Sequence, residues 1–137
     1  MSASPNQAAN KSVLLALLGG TWPTHGVPAQ TWPRIAQMAA DQRLEPLLAW
    51  HAERGGWPVP PAIATSWNQA RRAAALGVLS QQAALRLALA KLGDAGIAAV
   101  ALKGVALAWR HYPEAALRPM RDIDLLVPEA RDRKSVV

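Results

Sequence analysis

Two aspartates that stand one residue apart, Asp122 and Asp124, are the side chains of this sequence best placed to do chemistry. They open the apolar stretch "DIDLLV", which reads as a β-strand, and residues i and i+2 of a strand point to the same face. Two carboxylates on one face repel each other unless a cation lies between them. Mg²⁺ favours one or two carboxylates together with substrate phosphates. The spacing therefore predicts a site for Mg²⁺ (or Mn²⁺) at these two residues.

A phosphate-binding turn is predicted upstream of the aspartates, at Lys103 and Gly104. Here the apolar run "GIAAVAL" ends and a helix is expected to begin. A helix start presents unpaired backbone N–H groups and a partial positive charge. Gly104 lets a ligand approach the backbone closely, and Lys103 adds a cation. Arg118 and Arg121, just before the aspartates, are candidates to hold phosphate oxygens or to pair with the aspartates.

Each of these features also has a structural explanation when it stands alone. An Asp-x-Asp triplet is most often a pair of solvated turn residues, and Lys-Gly after an apolar run is usually a simple strand-to-helix turn. An arginine beside an aspartate is usually a surface ion pair that contributes little. What favours a shared site is the order of the three features and their closeness in the chain.

A strand–helix–strand unit is expected to position these residues. Residues 96–102 and 122–127 are predicted strands, and residues 104–112 a short helix between them. A helical region precedes this unit and ends at Gly93. Residues 1–10 are expected to be loose, and Ser12 to cap the first helix. Helices are predicted over 12–18, 31–42, 45–54 and 62–92.

The longest predicted helix, residues 62–92, carries two apolar faces. One follows a spacing near 3.6 residues. The second is formed by Leu76, Leu79 and Leu87, so the sequence predicts that the helix is buried on two sides. The fold class expected for the whole chain is α+β, with a helical N-terminal region followed by a strand–helix–strand unit.

Composition narrows the class of protein. The 137 residues are 51% hydrophobic and carry a net charge of +6, with the basic residues spread along the chain. There is no cysteine, which excludes disulfide partners and fits a cytoplasmic location. The longest early apolar run, residues 13–18, is too short to cross a membrane, so neither a signal peptide nor a membrane partner is expected.

The segment "VALKGVALAWRHYPEAALRPMRDIDLLV", Val100 to Val127, resembles the uncharacterised nucleotidyltransferase family of the DNA polymerase beta-like nucleotidyltransferase superfamily. The resemblance rests on the residues that match the family's motif. They are Leu102-Lys103-Gly104, Leu107-Ala108, Tyr112-Pro113, Arg118 and Asp122-Ile123-Asp124-Leu125-Leu126-Val127.

The resemblance implies a metal-dependent enzyme that moves a nucleoside monophosphate from a nucleoside triphosphate to an acceptor hydroxyl. Asp122 and Asp124 would be catalytic and hold the metal, while Lys103, Gly104, Arg118 and Arg121 would bind the nucleotide. The superfamily commonly has a Gly-Ser turn at the phosphates, and this sequence has Lys103-Gly104 without the serine. Neither the acceptor nor the preferred triphosphate follows from these residues.

The resemblance also implies that the chain is a truncated fragment and inactive by itself, since the superfamily takes a third carboxylate from a later strand. Residues 1–95 are then the helical region, and residues 96–131 the start of the nucleotidyltransferase domain.

Residues 132–137 match the in-frame translation of a common sequencing adapter, GAT CGG AAG AGC GTC GTG followed by a stop codon. They are expected to be a sequencing artefact.

Two other classes of protein stay open at this point. The chain is either a non-catalytic module that binds a nucleotide or a protein, or a structural helical domain in which the two aspartates fall together by chance. A further carboxylate on a later strand would favour the enzyme. Failure to bind a divalent metal and a nucleoside triphosphate would favour the structural domain.

Overall fold

The structure, a computed structural model, describes residues 5–129, so the predicted artefact tail at 132–137 lies outside the described part of the chain. The first helix, α1, spans Pro5–Leu18. The predicted loose segment is therefore wrong from residue 5 onwards. The predicted cap at Ser12 is also wrong, because Ser12 lies inside the helix and its hydroxyl donates to the carbonyl oxygen of Ala8 at 3.1 Å. Proline is tolerated in a first helical turn, and the alanines that follow favour helix.

Helices α2, Trp32–Asp41, and α3, Glu45–Gly55, pack with α1 around one apolar core. A short 3₁₀ turn, Ala29–Thr31, leads into α2. Thr31 occupies the predicted N-cap position, but its side chain makes no capping hydrogen bond. The chain leaves α3 through Gly56, whose φ of 60° is left-handed and costs glycine little. The fully buried residues of this core are Leu17, Ile35, Ala39, Leu48 and Trp67, joined by Leu14, Trp32 and Ala49.

Helix α4, Pro61–Asp94, confirms the long helix predicted from the apolar spacing. Its predicted burial on two sides is wrong, because the exposed fractions of Leu76, Leu79 and Leu87 are 70%, 63% and 59%. The other described elements cover only one side of α4. By length and composition alone α4 could cross a membrane, since its most apolar window has a mean hydropathy of 1.3 and is not buried. Trp67, nearer its start, is buried in the helical core.

The last part of the described chain forms a two-stranded antiparallel sheet with one helix. Strand β1 is Val100–Leu102, helix α5 is Lys103–His111, and strand β2 is Asp124–Leu126. A 3₁₀ turn, Ala115–Leu117, lies between α5 and β2. This arrangement confirms an α+β fold with a helical N-terminal region.

Both strands are shorter than the sequence predicts, and the register explains why. Leu102 pairs with Asp124, so Ile123 would have to pair with Lys103. Lys103 instead begins α5. The ladder therefore ends at Asp124, and Asp122 lies in the irregular stretch before β2.

Candidate active site

The antiparallel register places the predicted phosphate turn beside the predicted metal ligands. Because Leu102 and Asp124 are direct partners, the next residue, Lys103, begins α5 next to Asp124. The Nζ atom of Lys103 lies 3.6 Å from Oδ2 of Asp124. Their side chains are 75% and 46% exposed, so the ion pair contributes little to stability. The contact does show that the start of α5 and the start of β2, about twenty residues apart in sequence, lie next to each other.

Lys103 makes the turn from strand to helix in an unusual conformation. Its φ is 49°, in the left-handed region that residues with a Cβ seldom adopt. Such a conformation costs about 1 to 2 kcal/mol relative to a right-handed one. The surrounding structure keeps it because β1 must end at Leu102 and α5 must begin at once. Strained backbone of this kind is often found at functional sites.

Gly104 allows two side chains of the following segment to approach the start of α5. A Cβ atom at this position would lie 2.8 Å from Nη1 of Arg118 and 3.0 Å from Sδ of Met120. The first distance is shorter than real Cβ contacts and the second is tighter than most of them, so a side chain here would displace the ends of Arg118 and Met120. The guanidinium of Arg118 therefore lies against the turn that carries Lys103.

Asp122 and Arg121 are less closely tied to this point. Both are exposed, and within residues 5–129 neither side chain makes an ion pair or hydrogen bond to protein. They lie in the irregular stretch that leads into β2. The structure thus brings Lys103, Gly104, Arg118 and Asp124 together, and it leaves Asp122 and Arg121 on the exposed approach to the same strand.

Asp124 lies on the open face of the sheet. Direct cross-strand partners share a face, so Asp124 and Leu102 lie on the same side as Val100 and Leu126. Val100 and Leu126 are 58% and 56% exposed. Ile123, one residue before Asp124, lies on the other side, where it lines a narrow gap with residues of α4 and α5. A ligand can therefore reach Asp124 from solvent.

The side-chain oxygens at this point suit a hard divalent cation, but they are too few to complete its coordination. Asp122 and Asp124 offer carboxylate oxygens, which Mg²⁺ binds together with water and phosphate oxygens. The Lys103 ammonium places one positive charge beside the Asp124 carboxylate. Within residues 5–129 no group of three or more histidine, cysteine, aspartate or glutamate side chains could hold a metal. Within the described residues, the motif thus supplies only two candidate metal ligands, Asp122 and Asp124.

Comparison with known proteins identifies the family. A family model described as "uncharacterised nucleotidyltransferase" matches residues 28–136, which is most of the chain. The chain belongs to this family. The match begins before α2, so the nucleotidyltransferase family includes the helical region as well as the sheet. No curated protein and no solved structure matches the chain significantly.

No pattern in the sequence indicated the contacts that hold the segment between α5 and β2. Arg71 on α4 pairs with Glu53 on α3 and, through Nη2 at 3.2 Å, with Oε1 of Glu114. Gln81, also on α4, donates a hydrogen bond from Nε2 to the carbonyl oxygen of Met120 at 2.7 Å. The partners are 43 and 39 residues apart in sequence. No local pattern predicts pairs at such separations.

Proposed function

We propose that this chain carries the nucleotide and metal half of a nucleotidyltransferase site, which acts on a nucleoside triphosphate and an acceptor hydroxyl. The observation that carries the proposal is the meeting of Lys103 and Asp124, with Arg118 held against Gly104. A cationic turn beside a carboxylate on an open sheet face suits a triphosphate that shares a metal with that carboxylate. Family membership supports the same reaction class.

Each residue has a distinct part in the proposed site. Lys103 and Arg118 neutralise the triphosphate oxygens, and Gly104 lets the phosphates approach the start of α5. Asp122 and Asp124 hold Mg²⁺, which would supply charge stabilisation at the α-phosphorus when bound. Arg121, exposed next to Asp122, contributes a further guanidinium at the edge of the site. The open sheet face leaves room for an acceptor.

The proposed reaction is an in-line displacement. The acceptor oxygen forms a bond to the α-phosphorus, and the bond from this phosphorus to the oxygen that bridges to the β-phosphate breaks. Pyrophosphate leaves with that bond's electron pair, and the acceptor hydroxyl gives up its proton to solvent water. Lys103 and Arg118 would stabilise the charge that develops on the phosphate oxygens.

We propose that the 137-residue chain by itself binds nucleotide and metal weakly and does not complete the transfer. No third carboxylate joins Asp122 and Asp124 within residues 5–129. Transfer requires the metal and substrates to be fixed within a fraction of an ångström. We place this activity in the cytoplasm, in line with a chain that has no cysteine.

Removing one carboxylate at a time tests the proposed metal site. Asp122→Asn and Asp124→Asn keep the side-chain shape and remove the charge. Each should weaken Mn²⁺ binding by at least about tenfold, because a charged ligand is lost. Stability should hardly change, because Asp122 is exposed and the ion pair of Asp124 is largely exposed. The measurement is Mn²⁺-induced broadening of backbone amide signals near Lys103 and Asp124, together with the melting temperature.

Asp94→Asn is the matched control, because Asp94 is exposed at the end of α4, away from the sheet ladder. Unchanged Mn²⁺ binding in both site variants would refute the metal site. In a protein that completes the domain, the same two variants should lower turnover by orders of magnitude. Metal stabilisation of the transition state is worth several kcal/mol, and each ~1.4 kcal/mol is a factor of ten in rate.

A second candidate function, ligand binding without chemistry, is favoured by one cavity. This cavity, about 660 Å³ in volume, lies between α4, β1 and α5 and is lined by none of the proposed site residues. Its walls are largely apolar, and Trp109, Arg86 and Arg110 are among the lining residues. If a nucleoside triphosphate binds here, Arg110→Gln should weaken its binding, whereas Asp124→Asn should not. The opposite result favours the transferase.

A further inference from the structure

One contact from the helical region reaches the segment that carries the candidate metal ligands. This connecting segment, residues 112–123, runs from α5 to β2. Gln81, past the middle of α4, donates from Nε2 to the carbonyl oxygen of Met120 at 2.7 Å. The bond is partly buried. Met120 is two residues before Asp122 and four before Asp124, so the bond fixes a peptide plane immediately ahead of both carboxylates.

Met120 is also held on its side-chain end. Its Sδ lies where a Cβ of Gly104 would be only 3.0 Å away, against the turn that carries Lys103. Gln81 and Met120 both line a gap of about 10 Å³ between α4, α5 and Ile123, so little space is left for movement. The backbone and the side chain of one residue are thus fixed from opposite directions, one by α4 and one by the start of α5.

The other polar tie to the connecting segment acts further from the aspartates. Arg71 pairs with Glu53 and with Glu114, and Glu114 stands eight residues before Asp122. The carboxylates are 69% and 48% exposed, so these ion pairs contribute little. Ala116 and Leu117 are buried and anchor the middle of the segment. Among these contacts, the Gln81 bond is the polar one closest to the metal ligands.

We infer that Gln81 is a positioning residue for the metal site: by holding the Met120 carbonyl it sets where Asp122 and Asp124 present their carboxylates. The inference rests on the proposed function of that site. It gives α4 a part in positioning the two candidate metal ligands. It also makes the helical region, which the family match includes, a part of the active-site scaffold.

The test replaces Gln81 by methionine, which has a similar length and no N–H donor. Gln69→Met is the matched control, because Gln69 lies on the same helix, is exposed, and its side chain makes no hydrogen bond to protein within residues 5–129. The apparent Kd for Mn²⁺ is measured on the full chain by amide broadening, well below the melting temperature. Gln81→Met should weaken Mn²⁺ binding about three- to tenfold, the effect of losing one hydrogen bond, and Gln69→Met should leave it unchanged.

The outcomes separate this inference from the proposed function. If the two aspartate variants lose Mn²⁺ binding but Gln81→Met binds as tightly as Gln69→Met, the inference is wrong and the metal site stands. A fall in melting temperature of Gln81→Met without a change in Kd means that Gln81 is only structural, which also overturns it. If neither aspartate variant affects Mn²⁺ binding, the proposed function itself fails.

Discussion

The backbone of Lys103 is strained, and its ammonium is a cation of the candidate site. Substitutions of Lys103 are therefore expected to change the stability of the chain and its triphosphate binding separately. Lys103→Gly should raise the free energy of unfolding by about 1 kcal/mol, because glycine adopts a φ of 49° at almost no cost. Lys103→Ala keeps the strain and should show no such gain. Both variants should bind a nucleoside triphosphate more weakly, since the ammonium is lost.

Chemical denaturation and a fluorescent triphosphate analogue measure the two quantities separately. A Lys103→Gly variant no more stable than Lys103→Ala would mean that the backbone at this turn is not strained. Equal triphosphate binding by the parent chain and both variants would remove Lys103 from the nucleotide site.

Gly104 is expected to matter for binding rather than for folding. An alanine here would press its Cβ against Nη1 of Arg118 and Sδ of Met120. Both are ends of flexible side chains, so they can move aside, and alanine favours the helix that begins here. Gly104→Ala should therefore leave stability within about 1 kcal/mol of the parent and weaken triphosphate binding, because Arg118 is displaced.

Gly77→Ala in α4 is the matched control for this substitution. No atom lies within 4 Å of a Cβ at Gly77, so the change should stabilise α4 by about 1 kcal/mol without affecting binding. Thermal melts and nucleotide titration of both variants provide the comparison. Parent-like triphosphate binding by Gly104→Ala would show that the close approach of Arg118 is not used.

The sequence suggested six residues for the site, and the structure brings four of them together: Lys103, Gly104, Arg118 and Asp124. It leaves Arg121 and Asp122 on the exposed approach to β2. The left-handed φ of Lys103 was not predictable, because no glycine or asparagine marks it. The spacing of Asp122 and Asp124 predicted one shared strand face. The ladder instead begins at Asp124, since its partner strand ends at Leu102.

At the scale of elements, α4 is a helix with one packed side and one apolar solvent-facing side. Leu76→Gln and Leu79→Gln should each change the free energy of unfolding by no more than about 0.5 kcal/mol, as for exposed positions generally. Leu48→Ala, in the core between α3 and its neighbours, should cost about 2 to 5 kcal/mol. Urea denaturation measures all three. Comparable losses in the three variants would mean that the outer face of α4 is covered in solution.

Apolar spacing predicted the length of α4 but not which of its faces is covered. A period near 3.6 marks an apolar stripe wherever it lies, and Leu76 and Trp67 both belong to apolar positions of the same helix. Whether a neighbour covers such a position depends on the path of the rest of the chain. Helix α1 illustrates the opposite error. Its polar first turns suggested a loose terminus, but Leu14 and Leu17 bury the end of the helix and support the whole of it.

At the scale of the whole molecule, the buried side chains fall into two groups of unequal size. The larger core joins α1, α2, α3 and the first part of α4. The smaller group lies around α5 and the connecting segment, and consists of Val105, Ala108, Ala116 and Leu117. The two-stranded sheet adds three paired residues per strand, and so small a sheet is marginal by itself. We therefore expect the two parts of the molecule to differ in local stability.

Amide hydrogen exchange measures this difference. Amides of residues 97–127 should exchange faster than those of the buried turns of α2, α3 and early α4, because local opening of the sheet exposes little apolar surface. Addition of Mn²⁺ and a nucleoside triphosphate should slow exchange around β2 through mass action on the folded site. Equal protection of residues 97–127 and the long helix would contradict the expected ranking.

The tryptophan side chains are divided between the same two parts of the molecule, so dichroism and fluorescence report on different parts of it. Trp22, Trp32, Trp57 and Trp67 stand in a chain of ring contacts with centroids about 6 Å apart inside the helical core. Trp109 stands apart on α5 and is 50% exposed. Near-ultraviolet dichroism should thus be dominated by coupled indoles of the helical part, while emission at the red edge should come largely from Trp109. A melt recorded at one wavelength would follow one part and miss the other, and Trp109→Phe would leave α5 and the sheet without a tryptophan.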